Sequence, residues 1–222
     1  MKMNKPLKTI LPLAVLAGFA VTANAAVVIT PAGATTTGGN LSGRPIGNTI
    51  DGSGLTDPGT PGNILDDTHS VNTNSDLWLS ANGNGSGVEF VFDLGGTYTV
   101  DSVHLWNISY SSGAVNRGLK TVDLTFSTDG GVNYNTLVAA SEYDDFGNFA
   151  MSSTTGPGVA ETKTFTAVAG VTHIKFTDST NHGATYTGFG EIRFGGAAPI
   201  PEPSTTALLG LGGLALILRR RK

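Results

Sequence analysis

Histidine and carboxylate side chains are the groups that could carry acid–base or metal chemistry in this chain. The imidazoles are those of His69, His104, His173 and His182. No metal-ligand spacing connects them, and the sequence contains neither G-x-S-x-G nor H-E-x-x-H. The adjacent carboxylates Asp66-Asp67 and Asp144-Asp145 are poor acid–base pairs, because neighbours on an extended chain point to opposite faces. The sequence therefore predicts a protein that is not an enzyme.

The C-terminal residues 199–222 combine three features in a fixed order. Pro201, Glu202 and Pro203 form a spacer that favours extended backbone. An apolar run at 207–218 follows. As a helix, with a rise of about 1.5 Å per residue, it spans roughly 20 Å, against roughly 30 Å of bilayer hydrocarbon. The chain then ends in cations that stay on the cytoplasmic side of a membrane: Arg219, Arg220, Arg221 and Lys222.

This combination resembles the PEP-CTERM sorting signal of Gram-negative, exopolysaccharide-producing bacteria. The resemblance implies recognition by an exosortase, a membrane transpeptidase-like protease, with cleavage near residues 201–203. The protein would pass through the inner membrane on its short hydrophobic helix and then reach the cell surface or the extracellular matrix. The alternatives are a helix of the protein core or a weak membrane anchor. Glycines at 210, 212 and 213 disfavour a core helix.

The N-terminal residues 1–25 have the features of a secretory signal peptide. Lys2, Lys5 and Lys8 form a basic segment, and an apolar stretch at 10–21 is too short for an ordinary membrane span. A small-x-small cleavage motif ends at Ala25. We therefore expect a signal-peptide helix that signal peptidase removes, a domain at 26–197, and a sorting signal at 198–222.

The domain between the two signals is acidic. The chain has 13 Lys and Arg and 17 Asp and Glu, and removing both ends leaves 6 basic and 16 acidic residues, a net charge near −10. Such a charge repels nucleic acid and suits hard divalent cations with oxygen ligands. Cysteine is absent, so export brings no disulfide framework.

Short apolar runs between turn residues predict an all-β sandwich of about nine strands. Residues 88–94 and 119–127 alternate between apolar and polar side chains, and residues 98–108 are apolar on both faces. Further strands are predicted at 26–30, 76–80, 134–140 and 188–194, with loops at 31–56 and 57–75. Gly95-Gly96 and Asp129-Gly130-Gly131 are expected to be turns, and Ala169-Gly170 is expected to join a hairpin of 161–168 and 171–177.

Several of these segments resemble discoidin or coagulation-factor type C domains, which have a galactose-binding-like jelly roll. They are V-E-F-V-F-D-L-G-G-T-Y-T-V-D-S-V-H-L-W-N at 88–107, the S-T-D-G-G hairpin at 127–131, and the closing G-F-G-E-I-R-F at 188–194. N-T-I-D-G at 48–52 resembles the early Asp-Gly loop of the family. The resemblance covers most of residues 40–195 and implies a jelly-roll β-sandwich with ligand sites in its end loops.

The resemblance also implies a structural calcium ion. The matching ligands are Asp51, Ser53 through its backbone oxygen, and Glu191. An ion there would tie the first loop to the last strand, since calcium takes six to eight oxygen ligands from separate segments. This chain departs from the family where a long insertion precedes Trp78. The alternative is that Asp51 begins a turn before Gly52 and that Glu191 is an ordinary strand residue.

The resemblance further implies a carbohydrate site. Such a site needs an aromatic ring to stack on the sugar and a few hydrogen-bonding groups for its hydroxyls. Trp78 and Trp106 are expected in the core instead. The candidate ligand-binding residues are Asn107, Arg117, His182, Tyr186 and His69.

Three functions remain open on this basis. The first is an exported, exosortase-sorted, non-catalytic binding protein that contacts carbohydrate or exopolysaccharide. The second is a structural or adhesive coat component without a small ligand. The third is a glycan-active enzyme, which the absence of catalytic motifs disfavours.

Overall fold

The computed structural model describes residues 26–56, 64–70, 76–108, 114–146 and 158–198. The predicted signal-peptide helix and the hydrophobic C-terminal helix lie outside these residues. Strands dominate, with short 3₁₀ helices between them at Ile46–Thr49, Ile64–Asp66, Ala114–Arg117 and Ala140–Glu142. The strands are β1 (Ala26–Ile29), β2 (Gly33–Thr36), β3 (Thr68–His69), β4 (Trp78–Leu79), β5 (Phe90–Asn107), β6 (Leu119–Ser127), β7 (Thr136–Val138), β8 (Gly158–Val159), β9 (Glu161–Asn181) and β10 (Gly188–Ala197). The all-β prediction is confirmed.

The main sheet has the order β1-β10-β5-β9-β6-β7, and all its named strand pairs are antiparallel. The long strands β5 and β9 pair along most of their length and have different outer neighbours at their two ends. Residues 90–93 of β5 pair with β2 and with residues 173–176 of β9, which also pairs with β6. Residues 99–107 of β5 pair with β10. The sheet therefore has two halves that share β5 and β9.

An aromatic cluster fills the space between these halves, which makes the fold a sandwich. Phe92 of one half contacts Phe194 of the other with ring centres 5.6 Å apart, and Phe90 contacts Phe189 at 5.4 Å. Trp78 lies edge-on to Phe90 at 5.0 Å. These rings are fully buried, as is Trp106, so the prediction that both tryptophans belong to the core is correct.

Two glycine-containing dipeptides that the sequence suggested as turns, Gly95-Gly96 and Ala169-Gly170, are bends within continuous strands. The pairing register of β5 with β9 shifts between Asp93 and Val100, and the facing residues of β9 are 168–173. Gly95 and Gly170 both have positive φ, 68° and 76°, a conformation that side chains with a Cβ rarely adopt. The predicted turn at Gly95-Gly96 and the predicted hairpin at Ala169-Gly170 are therefore wrong. The glycines instead let the paired strands bend together.

The edges of the sheet also differ from the sequence pattern in places. The predicted loop at 31–56 contains β2, which is too short to show a clear alternation. At the other edge, Ala26 pairs with Ala197, so β1 begins next to the end of β10.

Among the described residues, no helix is long and apolar enough to cross a membrane.

The β6–β7 hairpin is the predicted turn that the structure contains, and Asp129 organises it. Its Oδ1 accepts the Asn133 N–H at 2.9 Å and the Ser127 hydroxyl at 2.7 Å, and its Oδ2 accepts the Asn133 side-chain amide at 2.7 Å. Gly130 and Gly131 follow with φ of 79° and 84°. The backbone N–H of Asn133 and the neighbouring donors lower the pKa of Asp129 to about 2.

We predict that Asp129→Asn lowers the melting temperature at neutral pH and that this difference disappears in acid. A carboxylate whose pKa is lower in the folded state stabilises that state above its unfolded pKa, near 4. The contribution is lost as the pH falls towards 2. Thermal melts of both proteins between about pH 7 and pH 2 measure it. A temperature difference that stayed constant over this range would contradict the role of the charge.

Candidate functional site

Arg117 and Tyr186 lie together at the loop end of the sandwich. The guanidinium carbon of Arg117 is 5.0 Å from the centre of the Tyr186 ring, a cation–π arrangement. Both side chains are partly exposed. Within the described residues, no salt bridge joins the Arg117 guanidinium to a carboxylate, and a guanidinium has N–H donors but no acceptor. The structure thus combines two of the five predicted ligand-binding residues in one partly exposed pair.

Buried polar contacts below this pair hold it in place. The Asn107 side chain donates to the Leu119 carbonyl at 2.7 Å and accepts the Leu119 N–H at 2.9 Å. Gly118 lies against the Asn107 amide, where a Cβ would come within 2.7 Å of Oδ1. Asn107 is itself buried, so the structure places it as a support for the backbone beside Arg117. Its predicted role as a direct ligand stays a prediction.

Asn181 shapes the loop that carries Tyr186. Its side-chain amide donates to the Tyr186 carbonyl at 2.6 Å and to the Ala184 carbonyl at 2.8 Å, and its Oδ1 accepts the Gly183 N–H at 2.8 Å. This loop and the β4–β5 loop line an open cavity of about 400 Å³. Sequence reasoning missed Asn181, although an Asn before a His-Gly pair is a common turn signal.

The two candidate histidines lie apart from each other. His69 is buried, and its ring nitrogens lie 3.0 Å from the Ser70 carbonyl oxygen and 2.9 Å from the Asp76 carbonyl oxygen. His182 lies near Phe146, Lys120 and Asp145, and burial lowers its pKa. A histidine with a lowered pKa is neutral at pH 7 and can offer one donor and one acceptor. The structure therefore gives His69 a structural role, because its ring contacts two backbone carbonyls. His182 remains a candidate ligand-binding residue at a position separate from His69.

The Asp-Gly loop and the last strand meet, as the family resemblance implied. The Gly52 N–H donates to Oε2 of Glu191 at 3.1 Å. Asp51 is exposed, and its Oδ1 accepts the Ser53 N–H at 2.8 Å, which is the turn that the alternative interpretation expected. The three predicted calcium ligands are thus neighbours in the structure.

Their chemistry does not fit a calcium ion. Oε1 of Glu191 accepts a hydrogen bond from Nη1 of Arg193, so both carboxylate oxygens already have donors. Burial raises the pKa of Glu191, and the Arg193 guanidinium and the Gly52 N–H oppose that rise. Among the described residues, no group of three or more His, Asp or Glu could hold a metal ion. Calcium instead needs six to eight free oxygen ligands.

Arg193 is the residue of this junction that sequence reasoning missed. The signal was present, because residues two apart on a strand share a face, and E-I-R places Arg193 beside Glu191. Its guanidinium is buried, and Nη1 also donates to the Ile192 carbonyl at 2.7 Å.

The C-terminal segment that follows β10 matches a known motif. Residues 199–222 match the PEP-CTERM protein-sorting motif. The predicted sorting residues Pro201, Glu202, Pro203, Arg219, Arg220 and Arg221 lie within this match and outside the described part of the structure. The match confirms that this segment is the predicted motif, and such a motif indicates export and exosortase-dependent sorting to the cell surface.

Two of the solved structures to which this chain is similar are carbohydrate-binding domains. One is the lectin domain of lectinolysin complexed with Lewis b antigen, at 17% identity and a TM-score of 0.49. The match covers 75% of this chain and 93% of the lectin domain's chain. Another is the family 32 carbohydrate-binding module of NanJ from C. perfringens in complex with galactose, at 18% identity and a TM-score of 0.49. The match covers 77% of this chain and 99% of that module. No curated protein sequence matches the chain.

Proposed function

We propose that the protein is an exosortase substrate whose exported β-sandwich binds carbohydrate without catalysing a reaction. The match of residues 199–222 to the sorting motif supports the exported location. Signal peptidase and exosortase are its processing partners, and the inner membrane is a transient one. The polysaccharide of the cell surface or matrix is the ligand class that this location offers.

The Arg117–Tyr186 pair is the observation that carries the binding role. A tyrosine ring offers a flat apolar face for the C–H groups of a sugar, and a guanidinium offers several N–H donors for hydroxyls. Asn107 and Asn181 fix the backbone on both sides of the pair through buried or partly buried hydrogen bonds. Such support orders the backbone beside the pair before any ligand binds, which reduces the entropic cost of binding.

We predict that Arg117→Ala and Tyr186→Ala each weaken carbohydrate binding at least about tenfold, equivalent to ~1.4 kcal/mol. Each change removes either the donors or the stacking surface. The measurement is a glycan array, followed by titration of the strongest glycan and of polysaccharide extracted from the producing cells, with the full chain purified in detergent.

Lys175→Ala is the matched control for the lost charge. Lys175 pairs with Glu89 at 2.9 Å on another part of the sheet, so binding should stay unchanged. Wild-type binding that survives both loop substitutions would move the site elsewhere. An absence of any glycan signal would favour the structural coat component instead.

A further inference from the structure

The ion pair of Glu191 and Arg193 is almost completely removed from solvent. Glu191 is 0% exposed and Arg193 is 2% exposed. A buried carboxylate is costly unless a positive charge and hydrogen bonds compensate it. Here the guanidinium supplies the charge to Oε1, and the Gly52 N–H supplies the second donor to Oε2.

The calcium ion that the family resemblance implies would tie the first loop to the last strand, and this arrangement joins the same two segments. Glu191 belongs to β10, and Gly52 belongs to the loop after the 3₁₀ helix at Ile46–Thr49. The 3₁₀ helix before this loop also connects to the rest of the domain through Asn48, whose side chain donates to the Leu77 carbonyl at 3.2 Å. A carboxylate that bridges a loop N–H and an arginine therefore holds the first loop on the last strand.

A divalent cation and this guanidinium cannot share the carboxylate easily. Both are attracted to the same oxygens, and like charges in contact repel strongly in a buried environment. A calcium ion would have to displace Arg193, and the displaced guanidinium would lose its bonds to Glu191 and the Ile192 carbonyl. The arginine cannot relieve the repulsion by losing a proton, because a guanidinium stays protonated in proteins.

We propose that the Arg193 guanidinium replaces the divalent cation at this junction, so that the first loop is held on the last strand without a metal ion. The protein then has a stability that does not depend on calcium, unlike a domain whose loop is tied by the ion. The proposal is independent of the carbohydrate-binding function.

Calcium titration of the full chain, purified in detergent, tests the proposal first. We expect the melting temperature to be the same in excess EGTA and in millimolar calcium chloride. A native-state site filled at about a hundred times its Kd would raise it by roughly 5–10 °C. A rise of that size in the unaltered protein would overturn the proposal.

Substitutions at the pair test whether the two charges depend on each other. Arg193→Met leaves the Glu191 carboxylate buried without its counter-charge and should lower the melting temperature strongly, or prevent folding. The double variant Glu191→Gln/Arg193→Met removes both charges and should recover part of that loss.

Lys120→Met is the control for a cation in an exposed pair. Lys120 lies 3.6 Å from Asp145 at the surface, so its loss should change little. A double variant that melts no higher than Arg193→Met would contradict the pairing, and the calcium titration of the unaltered protein decides the metal question whether or not the variants fold.

Discussion

Replacing Pro201, Glu202 and Pro203 by three alanines is expected to leave the uncleaved precursor in the membrane fraction. The three residues lie in the segment that matches the PEP-CTERM motif. Proline disfavours helical backbone and alanine favours it, and the replacement also removes the side chains of the motif. Pulse-chase labelling with cell fractionation should show the mature form almost disappear.

Replacing Ser204, Thr205 and Thr206 by alanine provides the matched control, because it keeps the length of the tail and the Pro-Glu-Pro spacer. Processing of this control should remain close to that of the unaltered chain. Maturation of the spacer variant at the normal rate would contradict a sorting role for residues 201–203, whatever the domain binds.

Trp78→Ala is expected to lower the free energy of unfolding by about 3–5 kcal/mol, since it removes one of the two buried tryptophans from a close-packed core. Trp78 is 0% exposed and contacts Phe90 and Phe189. Its indole N–H also donates to the Gly39 carbonyl at 3.0 Å, so the substitution leaves that acceptor without this donor. Denaturant unfolding of the full chain measures the change.

Leu137→Ala is the control for this substitution. Leu137 is 55% exposed on β7, and its loss should cost no more than about 0.5 kcal/mol. A cost below ~1 kcal/mol for Trp78→Ala would show that the aromatic cluster is not the centre of the core.

The strands that alternate on one face were predictable because their signal is local. β6 has the predicted bounds, and its hairpin with β7 follows from Asp129-Gly130-Gly131. Gly95-Gly96 and Ala169-Gly170 carry a similar local signal, yet each lies inside a strand. Whether glycines close a turn or bend a strand depends on the partner strand, and here both bends lie opposite each other. That pairing is long-range and leaves no mark in either segment alone.

The candidate site was also predictable only in part: the sequence indicated individual residues but not their contacts. Arg117 and Tyr186 were predictable as loop residues that could bind a sugar, but their contact joins segments about 70 residues apart and needed the structure. Arg193 was visible on the same strand face as Glu191, but the family pattern drew attention to the carboxylate alone. Whether the Arg193 guanidinium contacts the Glu191 carboxylate depends on how the two side chains pack, which the structure shows.

The mass of the mature protein, measured together with its cell fraction, tests the central claim most directly. The account predicts a polypeptide that begins at Ala26, ends near residues 201–203 and is found at the cell surface or in the medium. An intact chain of 222 residues in the cytosol would contradict it.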